Sequence, residues 1–243
     1  MLVLGLAVGS FLNVVIYRLP RETSIVSPPS HCPGCERRLK PLDMLPVISF
    51  IAFRGRCRYC SAPIGWRYPA VEALTAVVFI DTFLVTGWSF LLVKYLFVAS
   101  LLLAIAFIDL EHYIIPDSLN VVLAAGGVVL TLLAGDVTLV QVFIGAVVVG
   151  GTLLLLGLLF QGGMGGGDIK LGAALGLTLG WPLAPLGLLL GSLVGGITGF
   201  ILMAAGLKGR RDAIPFGPFL ALGTFLAILW GERIIQWYVG IYL

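Results

Sequence analysis

The chain alternates long apolar stretches with short polar ones, and the apolar stretches are of membrane-crossing length. At ~1.5 Å rise per residue, about 20 apolar residues traverse a ~30 Å hydrocarbon core. On that measure eight stretches predict helices, at residues 1–17, 69–86, 89–108, 118–133, 139–160, 169–180, 183–207 and 216–230. The sixth is short and glycine-rich, which predicts a tilted or broken helix buried by protein neighbours, because irregular backbone cannot face lipid. One substantial polar block, residues 18–66, interrupts the series. The pattern predicts an all-α polytopic membrane protein with about eight transmembrane helices. Its expected organisation is a first transmembrane helix at 1–17, a small polar module at 18–68 and a membrane domain at 69–243.

Composition excludes a soluble domain: 59% of residues are hydrophobic, 11% are charged and the mean hydropathy is +1.08. Under the eight-span pattern, all but two of the 15 basic residues, Lys94 and Arg233, fall in loops on one side. Short cytoplasmic loops collect Lys and Arg, so both termini are expected outside and the loops bearing Asp109 and Asp168 in the cytoplasm. That topology accounts for the net charge of +3, which gives no reason to invoke nucleic acid. No basic residue precedes the first apolar run and Arg18 and Arg21 follow it, the reverse of a cleavable signal peptide. The run barely crosses a bilayer, so a natural chain that begins earlier is expected.

All four cysteines lie in the polar block, as Cys32-Pro33-Gly34-Cys35 and Cys57-Arg58-Tyr59-Cys60, a C-x2-C-x21-C-x2-C pattern. A block this small and proline-rich needs a staple. Paired CxxC turns present four thiolates to a tetrahedral Zn²⁺, so Cys32, Cys35, Cys57 and Cys60 are expected to hold structural zinc. Two disulfides are the alternative, disfavoured by a reducing cytoplasmic location. His31 reads as a loop residue. Leu45, Val47, Ile48, Phe50, Ile51 and Phe53 either pack onto the module or lie on the membrane surface, while Trp66-Arg67-Tyr68-Pro69 reads as an interfacial belt. The glycine-rich run 162–167 follows a membrane helix instead of a strand and lacks a Walker GK[ST], so phosphate cradling has little support.

Two acids stand at the polar edges of membrane stretches: Asp109, in Ala106-Phe107-Ile108-Asp109-Leu110-Glu111-His112, and Asp168, in Gly165-Gly166-Gly167-Asp168. Peptide hydrolysis by two carboxylates needs one ionised and one protonated group, and proximity splits their titration. Taken singly, each acid reads as a helix cap or a solvated helix end. On one side of the membrane, and with a G-x-G-D setting, the pair reads as an intramembrane aspartyl protease. Asp117 reads as a helix-capping residue, Glu111 and His112 as solvated neighbours and Lys170 as an anchor at the lipid boundary; Asp81 has no evident partner. Asp168 opens its helix and Asp109 closes one, so helix direction predicts that Asp168 is the ionised member.

Gly9-Ser10-Phe11-Leu12-Asn13-Val14-Val15-Ile16-Tyr17-Arg18-Leu19-Pro20, the paired cysteine turns, Arg54-Gly55-Arg56-Cys57, Trp66-Arg67-Tyr68-Pro69, the Asp109 segment and the run from Gly165 to Leu171 resemble, in order, the type IV prepilin peptidase family. The resemblance covers nearly the whole chain. It implies a bacterial inner-membrane enzyme that cleaves the short basic leader of type IV prepilins, or of type II secretion pseudopilins, at the cytoplasmic face. Asp109 and Asp168 match the family's paired aspartates, and the partners implied are the substrate's leader and N-terminal helix together with membrane lipid. Members with the cysteine domain are typically bifunctional, methylating the new N-terminal amine with S-adenosylmethionine. No S-adenosylmethionine fold is recognisable, so the residues that would bind it are not identified by the sequence. The rival is a transporter or membrane scaffold with a cytoplasmic zinc module, but a transporter more often holds its acids near the midplane in repeated halves.

Overall fold

The structure, a computed structural model, describes residues 1–160, 164–209 and 212–242. Gly162 and Gly163 of the glycine-rich run, and the loop cations Arg210 and Arg211, lie outside the described residues. The architecture is all-helical, with isolated bridges but no strands among the described residues. The helices are α1 (Leu2–Arg18), α2 (Ile48–Ala52), α3 (Arg67–Thr86), α4 (Phe90–His112), α5 (Asp117–Ala134), α6 (Leu139–Leu159), α7 (Gly166–Leu179), α8 (Leu183–Ala204) and α9 (Gly217–Tyr242). Seven of them, all but α2 and α7, are long and apolar enough to cross a membrane, so the chain is a multi-pass membrane protein. The last predicted helix runs well beyond residue 230, because Glu232 and Arg233 face outward and leave the backbone ladder intact.

The chain divides into two compact units, Met1–Leu84 and Val85–Leu243. In the first, α1 lies against α3 through glycine. A Cβ on Gly9 would stand 2.7 Å from the Glu72 Cα, and one on Gly5 would stand 2.5 Å from the Ala76 Cα. Backbones this close require the small-x-x-x-small spacing of Gly5 and Gly9, which sequence reading overlooked. One turn further along the same face, the Asn13 amide donates to the Tyr68 carbonyl at 3.0 Å, completing an antiparallel register. The polar block folds between the two helices, its chain pinned where the buried Arg18 guanidinium donates to the Ser24 and Pro28 carbonyls at 2.8 and 2.6 Å. The apolar residues between the cysteine turns divide: Ile48 and Ile51 face outward, while Phe50 tilts against Trp66.

In the second unit the sixth stretch, expected to be tilted or broken, is α7, an unbroken but short helix of 14 residues. At ~1.5 Å per residue it reaches only about 21 Å, short of a ~30 Å core. Protein shields it on two sides. Leu171, Leu175 and Leu179 are buried, and a Cβ on Gly176 would strike the Ala146 backbone of α6. The Thr131 hydroxyl of α5 donates to the Thr178 carbonyl at 2.7 Å. At the end of α4 remote from Asp109, Lys94 is fully buried and its ammonium donates to both carboxylate oxygens of Asp136 at 2.9 and 2.7 Å.

Close approach at Gly176 generates a test. Gly176→Ala forces α6 and α7 apart and is expected to cost about 1–3 kcal/mol. Gly151→Ala, on an α6 position with nothing within 4 Å, should change stability little. Denaturant titration of both variants in detergent checks the contrast.

Candidate active site

The first turn of α7 gives each position of Gly165-Gly166-Gly167-Asp168 a distinct environment. Gly165 is the N-cap and Asp168 the third helical residue, whose carboxylate folds back onto the Gly165 backbone as the acidic member of a capping box does. A Cβ on Gly165 would stand 3.2 Å from Asp168 Oδ2, so glycine leaves room for that fold-back. A Cβ on Gly167 would stand 2.9 Å from the Ile115 Cβ, so a second glycine lets the turn press against the α4–α5 loop. Gly166 has open space around it. The G-x-G spacing thus follows from two different close approaches separated by a free position.

Asp109, 5% exposed, sits one turn before the end of α4, where its own carbonyl accepts the Tyr113 N–H at 2.9 Å. Its Oδ2 accepts the N–H of Gly217, the first residue of α9, at 2.9 Å. A Cβ on Gly217 would stand 2.7 Å from that oxygen, so glycine is required there as well. Asp109 and Asp168 lie close enough for their charges to act on each other. Asp168 Oδ1 is buried and has no hydrogen-bond partner, leaving an open acceptor at the site.

Helix direction does not separate the two acids as the sequence suggested. Asp109 closes α4, but its carboxylate also meets the N-terminus of α9, whose free N–H groups carry the positive end of that helix. Both carboxylates therefore receive helix N-terminal N–H groups, and the expected contrast disappears. Sequence reading missed Gly217 because the contact spans 108 residues and no local motif announces it.

The neighbouring polar residues organise the site from outside. Pro116, not Asp117, is the N-cap of α5, and Asp117 instead accepts two hydrogen bonds from Lys170 at 2.8 and 2.7 Å. Lys170 thus ties α7 to α5, beyond the lipid anchoring expected of it. Asn120 adds a second tie, its amide donating to the Gly167 carbonyl at 3.4 Å. Glu111 and His112 stand partly exposed and side by side, with Nε2 3.9 Å from Oε2. Asp81 is partly exposed on α3.

In the first unit the four cysteine sulfurs lie within 4.8 Å of one another, and all four cysteines are free. Each CxxC turn closes in the same way. Glu36 N–H donates to Cys32 O at 2.8 Å and Ser61 N–H to Cys57 O at 2.9 Å, with Glu36 and Ser61 both left-handed at φ 55° and 60°. The Cys32 and Cys60 sulfurs are 3.8 Å apart, matching the ~3.8 Å edge of a tetrahedron with ~2.3 Å metal–sulfur bonds. The Tyr59 and Cys60 N–H groups bring the Cys57 thiol down to about 7. At Cys60 the Ala62 N–H acts in the same sense, but burial and the Cys35, Cys57 and Cys32 sulfurs outweigh it and push the thiol up to about 12. Four thiolates cannot ionise together without a cation, so the donor set fits a metal. His31 is not among the clustered ligands.

Residues 3–86 match the model of the bacterial peptidase A24 N-terminal domain, and residues 96–200 match that of the type IV leader peptidase family. Among similar proteins, the prepilin leader peptidase/N-methyltransferase of Aeromonas hydrophila is 40% identical, across 98% of this chain and 92% of its own length. Proteins of the same name from Legionella pneumophila and Bacillus subtilis are 34% and 32% identical, each across 98% of this chain and across 93% and 96% of their own lengths. No solved structure matches. With both family models placed in order along it, and with relatives matched over nearly its whole length, the chain belongs to the type IV leader peptidase family.

Proposed function

We propose that this chain cleaves the leader peptide of type IV prepilins or type II secretion pseudopilins with an Asp109–Asp168 dyad, then methylates the new N-terminal amine. The observation that carries the peptidase reading is that the turn bearing Asp168 is pressed, through Gly167, against Ile115 in the loop that directly follows the helix bearing Asp109, 59 residues away in sequence. The family's relatives carry names that state both activities. The basic bias of the loops supports a site on the cytoplasmic face of the inner membrane. Nothing supports the transporter alternative: the two acids share one end of the second unit, and the family is one of peptidases.

In the proposed mechanism a water lies between the carboxylates. The ionised member removes its proton as oxygen attacks the scissile carbonyl, and the protonated member donates to the carbonyl oxygen. The resulting diol collapses, the C–N bond breaks and the amine leaves with a proton from the dyad. Asp109 is held by Gly217 N–H, while Asp168 presents its open oxygen Oδ1. The titration steps belong to the pair. For the second reaction S-adenosylmethionine, when bound, would supply the methyl group, its sulfur keeping the electrons of the broken bond, and the neutral amine would lose one proton to water.

Asp109→Asn and Asp168→Asn should each lower leader cleavage at least about a hundredfold while leaving membrane insertion intact. Cleavage of a purified prepilin in detergent measures this, and substantial turnover by either variant would exclude the dyad. Glu111→Gln and Asp117→Asn should be milder.

The two close approaches in the G-x-G-D turn give a finer test. Gly167→Ala displaces the turn from Ile115 and should slow cleavage about ten- to a hundredfold, whereas Gly166→Ala should remain near wild type. Equal effects would separate the motif from the close approach.

The cysteine cluster is proposed to hold one structural zinc per chain, contributing on the order of 10 kcal/mol to folding of the polar module. Metal analysis of chelator-free protein should find a single zinc. Cys57→Ser should loosen residues 18–66 to proteolysis and impair methyl transfer more than cleavage, since both aspartates lie outside the module.

A further inference from the structure

In the second unit α6 and α8 leave a cleft of about 270 Å³ between them, backed by Phe219 of α9. Two further lining residues sit next to the groups that hold the acids. Met164 precedes Gly165, onto which Asp168 folds back, and Phe216 precedes Gly217, whose N–H holds Asp109. Consecutive Cα atoms are ~3.8 Å apart, so the cleft begins within one residue of each hold.

The lining has the chemistry of hydrocarbon. Among the described residues none that lines it is charged, and Ser192 supplies the single polar side chain. By contrast, the α4–α5 loop against which Gly167 packs is flanked by Glu111, His112 and the Asp117–Lys170 pair. The catalytic turn therefore has charged neighbours along one approach and an apolar cleft along another. A basic leader belongs with the first, because a cation placed among apolar walls loses its hydration without a partner. The cleft is left for an apolar segment.

Its rim is exposed at Leu156 and Ser192, and Leu155 and Leu193 stand exposed beside them, so it opens toward the lipid around α6 and α8. A Cβ on Gly195 would stand 3.2 Å from the Phe219 ring, whereas one on Gly196 would meet nothing within 4 Å. Packing within the chain accounts for the glycine at 195 and not for the one at 196. Open space at Gly196 is what the close approach of another chain requires. The cleft takes side chains and not a whole helix, since one helical turn ~10 Å across and ~5.4 Å long fills roughly 400 Å³.

We propose that this cleft receives the apolar segment that directly follows the scissile bond, entering sideways from the lipid and seating its first side chains against Phe219 and over Gly196. The proposal rests on the leader-cleavage reading above. An extended chain advances ~3.3 Å per residue, so the three residues beyond the scissile bond reach about 10 Å into the cleft. The bulk of those residues then helps to set which substrates are cut.

The test uses full-length protein in lipid nanodiscs and two purified prepilins, one with three leucines directly after the scissile bond and one with three alanines there. Wild type is expected to cleave the leucine substrate about tenfold better in kcat/KM, within the discrimination that apolar pockets achieve. Gly196→Leu fills open space and should leave unfolding in detergent unchanged, yet it should lower cleavage of the leucine substrate about tenfold more than that of the alanine one. Equal effects on both substrates, or no effect on either, overturn the proposal. Irradiation of Leu156→p-benzoylphenylalanine, in an Asp168→Asn background that leaves substrate uncut, should give an adduct that maps to residues following the scissile bond. Adducts confined to lipid, to a second copy of this chain or to the leader overturn the proposal while leaving cleavage standing. Failure of wild type to cut either prepilin overturns the leader-cleavage reading and this proposal with it.

Discussion

The contact between Gly167 and the α4–α5 loop is the constraint on which the peptidase site depends. Helix α7 is too short to span the bilayer, so neither lipid thickness nor headgroup anchoring fixes its depth. Its depth comes instead from protein: α5 and α6 on its flanks, and the Ile115 backbone region against its first turn. A side chain at Gly167 would push that turn away, and Asp168 moves with the turn. Asn120 and the Asp117–Lys170 pair act around the same contact. The exposed ion pair adds little energy by itself, since such pairs are typically worth ~0–1 kcal/mol, but it restricts sliding between two helices already in contact.

Hydrocarbon solvent makes helix existence legible and helix contacts illegible. The long apolar runs had to become helices, because a bilayer interior leaves no other way to satisfy backbone groups. The same logic marked 169–180 as a protein-shielded helix, which α7 is. Ends were harder to read. The last apolar stretch reads as ending at residue 230, yet a helix ladder is indifferent to outward-facing charge such as that of Glu232 and Arg233, and α9 continues to Tyr242. Packing was hidden because apolar residues face lipid and protein alike. Gly5 and Gly9 carried the α1–α3 crossing in plain view, but a glycine in a membrane helix signals an interface only once its partner is known.

At the polar site, residue type was legible and partnership was not. A carboxylate at a lipid boundary is costly enough to draw attention by itself, so Asp109 and Asp168 stood out. The group that fixes Asp109 is a backbone N–H at Gly217, which has no side chain to betray it. For that reason an argument from the direction of each acid's own helix was incomplete: a carboxylate responds to every dipole it meets, including that of a distant segment. The cysteine module was more transparent. Its ligands come in two local turns whose spacing already encodes their geometry, and the structure had only to bring two similar knuckles together.

Lys94 and Asp136 also bear on how the chain enters the membrane. A buried ammonium near the start of a membrane helix opposes its own transfer into lipid, and here the counter-charge is supplied 42 residues later, beyond α5. Until α5 has been synthesised, α4 presents an unneutralised cation to the bilayer; afterwards the two helices form an electrically closed hairpin. The pair therefore favours lateral release of α4 and α5 together over their stepwise partitioning, which couples the order of biogenesis to a contact at the end of the unit remote from its aspartates.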